Sequence, residues 1–530
     1  MFVRVKTVKS GSKEYQYYQL VEGVYKKGRV RQKVLMTLGR VDDFDRSKVD
    51  EIVSALEGYT DKVDVLSSIE DCHHVWSKEY GSVYVMEKLW HELKMDSILS
   101  GLLRDRQFEF DVQAAIRGMV INRAVNARSK LATYEWMDRD VYYSEREELE
   151  LHHLYRALDF LISHKNAIEN RIFSNLTDLF SMDVSVVFYD CSLVDMYGEN
   201  SELVQHSRKG RQQFLLTLVM SRDGLPIGHE VLPGNMPDIK TVVDAMAKLK
   251  DRYSIGRCIF VGDRGMVSQE KLDQLKGLGY DYVVGVKRNQ WKEVKEQVLA
   301  TRGRFTKVKD NLYVKETLVN GKRYLICYNP YQAKKDKLTR ETVVKQLEQE
   351  IKGLDPFTKK AAELYSHDYK GRFLRRLKDG SLRIDRAQVR EDEKYDGKYV
   401  ILTSEKELSK DEIALIYKQL SRIEQSFRSL KSLHDLAPVF HYRDDRIMAH
   451  AFLCVLSHLL ERLMEKKLEA SGLDMTARRA LETLGAMKLT KVRLKEKEYL
   501  IRTDATPEIA DIFKALHYQM PPRIQMISAE

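Results

Sequence analysis

Cysteine is scarce in this sequence of 530 residues, and no two cysteines form a CxxC pair. The five are scattered along the chain: Cys72, Cys191, Cys258, Cys327 and Cys454. This distribution argues against a zinc ribbon and favours a reducing compartment. The fragment Cys72-His73-His74 has the residue types of a metal site but lacks a second ligand pair, so we interpret it as incidental.

Long hydrophobic runs are also lacking. The N-terminal stretch MFVRVKTVKSGSKEY has no apolar signal core. The longest apolar stretch, near Ala449–Leu460, is interrupted by His450, Ser457 and His458 and is too short to span a bilayer. We therefore expect a soluble cytoplasmic protein without a membrane partner.

A large excess of either charge is absent as well. Lys and Arg number 89 against 79 Asp and Glu, for a net charge of +10. An excess of this size favours a polyanionic partner only weakly on a chain this long. The hydrophobic content of 43% is sufficient for buried cores, and the length predicts two to four domains.

Changes of pattern along the chain predict a succession of segments within an α/β protein. They are a small β-rich N-terminal module (1–60), a helical region that is a candidate DNA-binding domain (61–180), the first part of an α/β core (181–289), a mainly β insertion (290–405), the last part of the core (406–472) and a small C-terminal module (473–530). The helical region shows no helix-turn-helix glycine turn, so its basic residues suit either DNA binding or the charged surface of a structural bundle.

The core is predicted from a change of periodicity at residue 182, where helical spacing gives way to strand-like runs. The runs MDVSVVFYD, QFLLTLVMS, PIGHEVLPGN, CIFVGDRGM and YDYVVGVK alternate with helical patterns in the order βββαβαβ. This order matches a ribonuclease H-like core. Within the insertion, Asn320-Gly321 predicts a hairpin turn, and KYVILTS predicts a strand that leads back to the core.

Three carboxylates stand out against this pattern. Asp190 and Asp263 each end an apolar strand, where a charge is costly unless it is exposed, paired or bound to a cation. Glu424 lies at the edge of the apolar seam of a helix predicted over 411–432. Taken singly, each is better explained as a turn or surface residue, and Asp263 could simply pair with Arg264. Together they predict a hard-oxygen site for two Mg²⁺ ions that serve phosphoryl transfer.

The same helix places Tyr417, Glu424 and Lys431 seven residues apart, so that they stack on one face. With FYDCS, GLPIGHEVLPGNMPD, FVGDRGM, YKQLSRIEQSFRSLKS and RDDRIMAHAFLC, this helix resembles bacterial insertion-sequence DDE transposases of the cut-and-paste group whose β-rich insertion precedes the last acid. The resemblance covers roughly residues 180–460. It departs at Leu420, where the group has Arg. Arg422 cannot take the place of that Arg, because it lies about 160° round the helix from Leu420. Arg428, one turn after Glu424, is nearer to that face and is the candidate substitute.

The resemblance implies a transposase that binds the terminal inverted repeats of its element, cuts both strands with Mg²⁺ (Mn²⁺ substituting) and joins 3′ ends to target DNA. It implies double-stranded DNA as the partner, a homodimer in the synaptic complex, and association with the nucleoid. Asp190, Asp263 and Glu424 would be the metal-binding catalytic residues. Tyr417, Lys431 and Arg428 would contact end phosphates.

Several assignments stay open from the sequence. The basic loop 205–213, with Arg208, Lys209 and Arg211, either tracks a phosphate backbone or is a solvated hairpin tip. The group cleaves through a DNA hairpin with a base flipped onto an aromatic residue, and Trp291, Tyr395 and Tyr399 are all candidates. A ribonuclease H-like nuclease without strand transfer, and an inactive transposase-derived DNA-binding protein, are the alternative functions.

Overall fold

The chain forms two compact units. The smaller unit comprises Met1–Ser77, Thr490–Arg502 and Pro522–Glu530, and the larger one comprises Lys78–Leu489 and Thr503–Pro521. The computed structural model describes residues 2–11, 13–26, 29–44, 48, 52, 72–104, 106–180, 182–197, 201–203, 205–206, 212–236, 242–244, 246–247, 259–263, 268–286, 293–494 and 497–527.

Both strands and helices are numerous, which confirms the mixed α/β class. The strands are β1 (Phe2–Ser10), β2 (Lys13–Lys26), β3 (Arg29–Arg40), β4 (Cys72–Glu79), β5 (Val186–Asp195), β6 (Gln205–His206), β7 (Gln212–Ser221), β8 (Pro226–Pro233), β9 (Ile259–Gly262), β10 (Asp281–Val286), β11 (Thr306–Lys309), β12 (Leu312–Val319), β13 (Lys322–Tyr328), β14 (Leu374–Arg376), β15 (Leu382–Ile384), β16 (Lys398–Thr403), β17 (Lys488–Leu494), β18 (Lys497–Arg502) and β19 (Ile524–Ile527).

Most of the α-helices lie, in chain order, between β4 and β5 or after β10. They are α1 (Gly81–Glu92), α2 (Met95–Leu103), α3 (Val112–Val125), α4 (Lys130–Arg139), α5 (Leu151–Ser163), α6 (Lys165–Phe180), α7 (Gln269–Gly277), α8 (Pro330–Glu350), α9 (Lys359–Ser366), α10 (Arg386–Glu393), α11 (Lys410–Lys418), α12 (Ser421–Ser432), α13 (Asp444–Ala470), α14 (Ala477–Leu484) and α15 (Pro507–Leu516).

The smaller unit is built from β-strands. β1, β2 and β3 form the N-terminal sheet that the alternating sequence predicts. A second sheet has the order β19-β18-β17-β4, so strands from the C-terminal part of the chain are hydrogen-bonded neighbours of a strand from its N-terminal part. The segment 473–530, predicted as a C-terminal module, thus contributes three strands that satisfy backbone groups by sharing a sheet with β4. The helix predicted near 46–60 lies outside the described residues, apart from two isolated positions.

The larger unit is organised around one sheet with the order β11-β12-β13-β16-β10-β9-β5-β7-β6, and β8 pairs with β7. Its central part runs β8-β7-β5-β9-β10. Within it, β7 is antiparallel to β5 and β8, whereas β9 is parallel to both β5 and β10. The five strands appear in the predicted chain order. This arrangement places the C-terminal ends of the parallel strands at one edge of the sheet.

Most strands of the insertion extend this sheet, whereas β14 and β15 form a separate two-stranded sheet. β16 pairs antiparallel with β10 on one side and with β13 on the other. The predicted turn between β12 and β13 is present, with φ of +50° at Asn320 and +73° at Gly321. The description of 290–405 as mainly β needs correction, since α8, α9 and α10 supply at least as much of it as the strands do.

Each face of the sheet is covered by helices. On one face, α1 to α6 pack with α13 and with alternate residues of the strands in one apolar cluster. On the other face, α11 and α12 cover the remaining strand residues. By length and composition α13 is long and apolar enough to cross a bilayer, but 89% of its most apolar window is buried inside the protein.

The helix predicted over 411–432 is interrupted. α11 begins at a capping box between Ser409 and Glu412, and α12 starts after Leu420. No glycine or proline causes the break. Instead, backbone hydrogen bonds of the i to i−3 type tighten the chain, as from Leu420 N to Tyr417 O at 3.1 Å, and the Ser421 hydroxyl donates to the Lys418 carbonyl. The apolar seam still packs against the sheet on both sides of the break.

Candidate active site

Asp190 and Asp263 lie in the same register of two neighbouring parallel strands. Phe188 of β5 pairs with Val261 of β9, and each aspartate follows two residues later. The separations agree, since 263 − 190 and 261 − 188 are both 73 residues. Adjacent strands lie about 4.8 Å apart, and residues i and i+2 face the same side. Phe188 and Val261 both pack beneath α11 and α12, so the two aspartates face those helices.

The position of Asp190 differs from the prediction in one respect. β5 does not end at Asp190 but continues to Asp195, because β7 pairs with it over its whole length. The parallel neighbour β9 ends at Gly262. Asp190 is therefore a mid-strand residue at the point where parallel pairing stops. Its Oδ1 accepts a hydrogen bond from the Cys191 amide at 2.9 Å.

Tyr417 connects α11 to the second aspartate. Its hydroxyl donates to Oδ1 of Asp263 at 3.4 Å, and its ring is largely buried. The ring stacks on Tyr399 of β16, with centroids 5.8 Å apart and an interplanar angle of 29°. This contact was not predicted: the sequence assigns the hydroxyl to a DNA phosphate, whereas here it lies against a candidate metal ligand.

Lys431 of α12 lies against the end of β5. Its Nζ donates to Ser192 Oγ at 2.7 Å and to the Leu193 carbonyl at 2.6 Å. Burial lowers the pKa of Lys431, while the carboxylates of Asp195 and Asp190 act in the opposite direction. The ammonium is thus within electrostatic reach of Asp190. Ser192 was missed by sequence reasoning, although its place two residues after Asp190 on an alternating strand is a usable signal.

Glu424 lies in the first turn of α12, between Tyr417 and Lys431 in the sequence, and is exposed. Leu420, at the position where the resemblance expects Arg, is buried in the apolar cluster. Arg428 is exposed one turn after Glu424. Glu424 is not drawn into a tight ligand group with the aspartates: in the described part of the chain, the three-residue group whose ligand atoms lie within 4.8 Å of one another is a different one.

The donor set nevertheless fits hard divalent cations. Two aspartates in register and a glutamate on the covering helix offer carboxylate oxygens, the ligands that Mg²⁺ prefers. No metal ligand of nitrogen or sulfur type is required. The arrangement on the sheet edge is suited to holding ions beside a phosphodiester rather than to forming a covalent intermediate.

The remaining sequence candidates are distributed differently. Arg208, Lys209, Arg211 and Trp291 lie outside the described residues. Tyr395 donates its hydroxyl to Oε1 of Glu391 at 2.8 Å, within the insertion. Tyr399 stacks on Tyr417 and so belongs to the wall of the candidate site.

Two protein-family models match the chain. The transposase DDE domain matches residues 185–460, and the IS1634 family transposase N-terminal domain matches residues 3–65. The first range contains both aspartates, Glu424 and the whole of α11 and α12. No curated protein matches the chain.

Three solved structures show weak similarity. The piggyBac transposase synaptic complex with hairpin DNA has 9% identity, a TM-score of 0.36 and coverage of 77% of this chain and 79% of that one. The Mos1 transposase paired-end complex with left transposon end has 12% identity, a TM-score of 0.15 and coverage of 34% and 59%. Marinitoga piezophila Argonaute in complex with 5′ OH guide RNA has 8% identity, a TM-score of 0.16 and coverage of 60% and 70%. At these values the structural similarities carry no argument.

Proposed function

The chain belongs to the transposase DDE domain family and is an insertion-sequence transposase, and from this premise we propose that it binds the terminal inverted repeats of its element, cleaves both DNA strands and joins the 3′ ends to target DNA. We also propose a ribonuclease H-like core, on the strand order β8-β7-β5-β9-β10. The observation that supports the proposal most directly is the shared register of Asp190 and Asp263 on adjacent parallel strands.

We assign Asp190, Asp263 and Glu424 as the ligands of two Mg²⁺ ions, for which Mn²⁺ substitutes. When bound, such a pair of ions supplies a clamp for the attacking and leaving oxygens of an in-line displacement. The two aspartates provide the fixed part of the site, because Asp190 is held by strand pairing with β7, and Asp263 directly follows β9 and accepts a hydrogen bond from Tyr417. Water is the nucleophile in cleavage and a DNA 3′-hydroxyl in joining, so no serine or cysteine nucleophile is needed.

Glu424 completes this set from the covering helix. α12 is separated from α11 by the break at Leu420, and Tyr417 ties the end of α11 to Asp263. The two helices therefore have independent attachments to the sheet, Tyr417 on one side of the break and Lys431 on the other. Glu424 lies between these two attachments and is exposed, and we propose that it completes the ligand set when ions bind.

DNA-end contacts are assigned to Lys431, Tyr417 and Arg428. The Lys431 ammonium lies beside Ser192 at the same sheet edge as Asp190, and we propose that it binds a phosphate of the scissile strand. Arg428 is exposed on the same helix and is free to reach a phosphate oxygen. The basic loop residues Arg208, Lys209 and Arg211 are proposed to follow the backbone beyond the site.

Two molecules are proposed to act together, as a homodimer that holds two transposon ends and then captures target DNA. The protein is proposed to work in the cytoplasm on the nucleoid.

Two alternatives share the fold: a nuclease without strand transfer, and an inactive DNA-binding derivative. The presence of all three acids argues against the inactive derivative.

One experiment separates these functions. The purified chain is incubated with labelled duplexes carrying the inverted repeats that flank its gene, a supercoiled target plasmid and Mg²⁺. A transposase yields flush or hairpin ends and then covalent end–plasmid joints. Cleavage without joints would indicate the nuclease, and a stable complex without cleavage would indicate the inactive derivative.

A further inference from the structure

A second group of metal-binding side chains lies beneath the end of α12. His434, two residues after that helix, meets His458 and Glu461 of α13, and one ligand atom from each lies within 4.8 Å of the others. All three residues are buried, with exposed fractions of 0%, 3% and 6%. His458 and Glu461 are three residues apart and so share one face of α13.

The hydrogen bonds of His434 restrict its protonation. Its Nδ1 lies 3.2 Å from the Arg123 carbonyl oxygen, which can only accept, so Nδ1 carries a proton. In a neutral ring Nε2 then presents a lone pair. That nitrogen lies 2.9 Å from Oε2 of Glu461 but makes no hydrogen bond of acceptable geometry with it. Two lone-pair atoms this close repel each other unless a cation is shared between them.

His458 has an equally incomplete environment. Both of its ring nitrogens are buried without a hydrogen-bond partner, and Nδ1 is 3.8 Å from Oε2 of Glu461. Buried polar atoms are rarely left unpaired, and each such atom calls for an explanation. A bound metal ion would provide a partner for all three residues at once.

We propose that His434, His458 and Glu461 bind one divalent transition-metal ion, with Zn²⁺ as the best-suited occupant. Two imidazoles and one carboxylate are an established zinc donor set that leaves one further position. Mg²⁺ is not suited, because it takes oxygen ligands and keeps several waters. The Arg123 carbonyl that receives Nδ1–H of His434 plays the supporting role that backbone carbonyls commonly have behind zinc-bound histidines.

The position of this site gives it a structural role. His434 belongs to the segment that follows Lys431 and Ser432, whereas His458 and Glu461 belong to the central helix. An ion held by all three would join the C-terminal end of α12 to α13. It would thereby fix the segment that carries Glu424 and Lys431 without contacting DNA.

The test uses the full chain without DNA or Mg²⁺. The protein is stripped with a chelator, reloaded with Zn²⁺, desalted and analysed by elemental mass spectrometry. About one zinc per chain is expected for a single site with three protein ligands, with a higher melting temperature than the stripped protein. Loading with Co²⁺ should give the intense visible absorption of a low-coordinate site with nitrogen ligands.

Matched variants show whether the three side chains hold the ion. His458→Gln and Glu461→Gln should reduce retained zinc to background, while His450→Gln, which alters a buried histidine two turns earlier on the same helix, should keep it. If the cluster variants do not fold, the wild-type zinc content and cobalt spectrum decide. Wild-type protein that retains no stoichiometric zinc and melts at the same temperature with and without Zn²⁺ would overturn the proposal in favour of a His–Glu ion pair. Because no step involves DNA, failure of the proposed transposition would leave this result unaffected.

Discussion

Asp190 and Asp263 occupy equivalent positions on adjacent parallel strands, each two residues beyond the pair Phe188–Val261. Two carboxylates at neighbouring strand positions repel each other unless a cation lies between them. Tyr417 donates to one of them, and Lys431 lies within electrostatic reach of the other. The sheet edge thus combines paired negative charge with a hydroxyl and an ammonium, which is a suitable arrangement for ions and a phosphate strand.

The first prediction concerns the acids. Asp190→Asn, Asp263→Asn and Glu424→Gln should each reduce DNA cleavage to background while leaving binding of end DNA largely intact, because each change keeps the side-chain shape and removes the negative charge of a metal ligand. Cleavage is measured on labelled end duplexes, and binding by electrophoretic mobility shift.

Asp281→Asn provides the matched control for these variants. Asp281 pairs with Ile259 at the opposite end of β9, so it lies on the same sheet but away from Asp263. This variant should cut normally. Parallel loss of binding and cutting in all three acid variants would instead assign the acids to folding.

The sequence predicted this pair because both aspartates follow apolar runs and the topology joins those runs. The broken helix could not be predicted in the same way, since Leu420 and Gln419 carry no helix-breaking residue type and the break depends on how the seam packs on the sheet. The approach of His434 to His458 could not be predicted either. The two residues are 24 positions apart in the sequence, and they meet only because the loop after α12 packs against α13.

A second prediction concerns Lys431. Lys431→Ala should weaken binding of end DNA and lower the slope of log affinity against log salt by about one, as expected for loss of one phosphate contact. Lys418→Ala, an exposed lysine of α11, is the matched control and should change the slope less. An unchanged slope for Lys431→Ala would show that its bonds to Ser192 and Leu193 are purely structural.

Tyr417→Phe distinguishes two roles of one hydroxyl. If the contact with Asp263 is functional, cleavage should fall roughly tenfold, since a hydrogen bond to a charged group is worth about 1.5 kcal/mol. If that contact is the only role of the hydroxyl, DNA binding should stay unchanged, because the ring keeps its stacking on Tyr399. Loss of binding with unchanged cleavage of bound DNA would assign the hydroxyl to a phosphate. The measurement is single-turnover cleavage at saturating protein, compared with equilibrium binding.

The last prediction concerns how the stability of the fold depends on pH, and it rests on the buried ion pair of Glu169. Glu169 of α6 lies 2.9 Å from Lys165 Nζ and 2.8 Å from His229 Nδ1, a residue of β8. Burial raises the pKa of Glu169, but Lys165 and His229 outweigh it and lower the pKa to about 2 from an ordinary value of 4.5. A depressed carboxyl pKa stabilises the fold above the unfolded-state value, and this stability is lost as pH falls toward the folded-state value.

Glu169→Gln should therefore destabilise the protein by about 3 kcal/mol near pH 7, because the pKa of Glu169 lies roughly 2.5 below its ordinary value. The difference from wild type should shrink between about pH 4.5 and pH 2, where the wild-type carboxylate becomes protonated. Urea unfolding at a series of pH values measures both curves, with Glu230→Gln, a half-buried acid 4.0 Å from Lys165, as the control. Parallel curves for wild type and Glu169→Gln would contradict the depressed pKa, because a substitution that acts only through packing has no reason to depend on pH in this window.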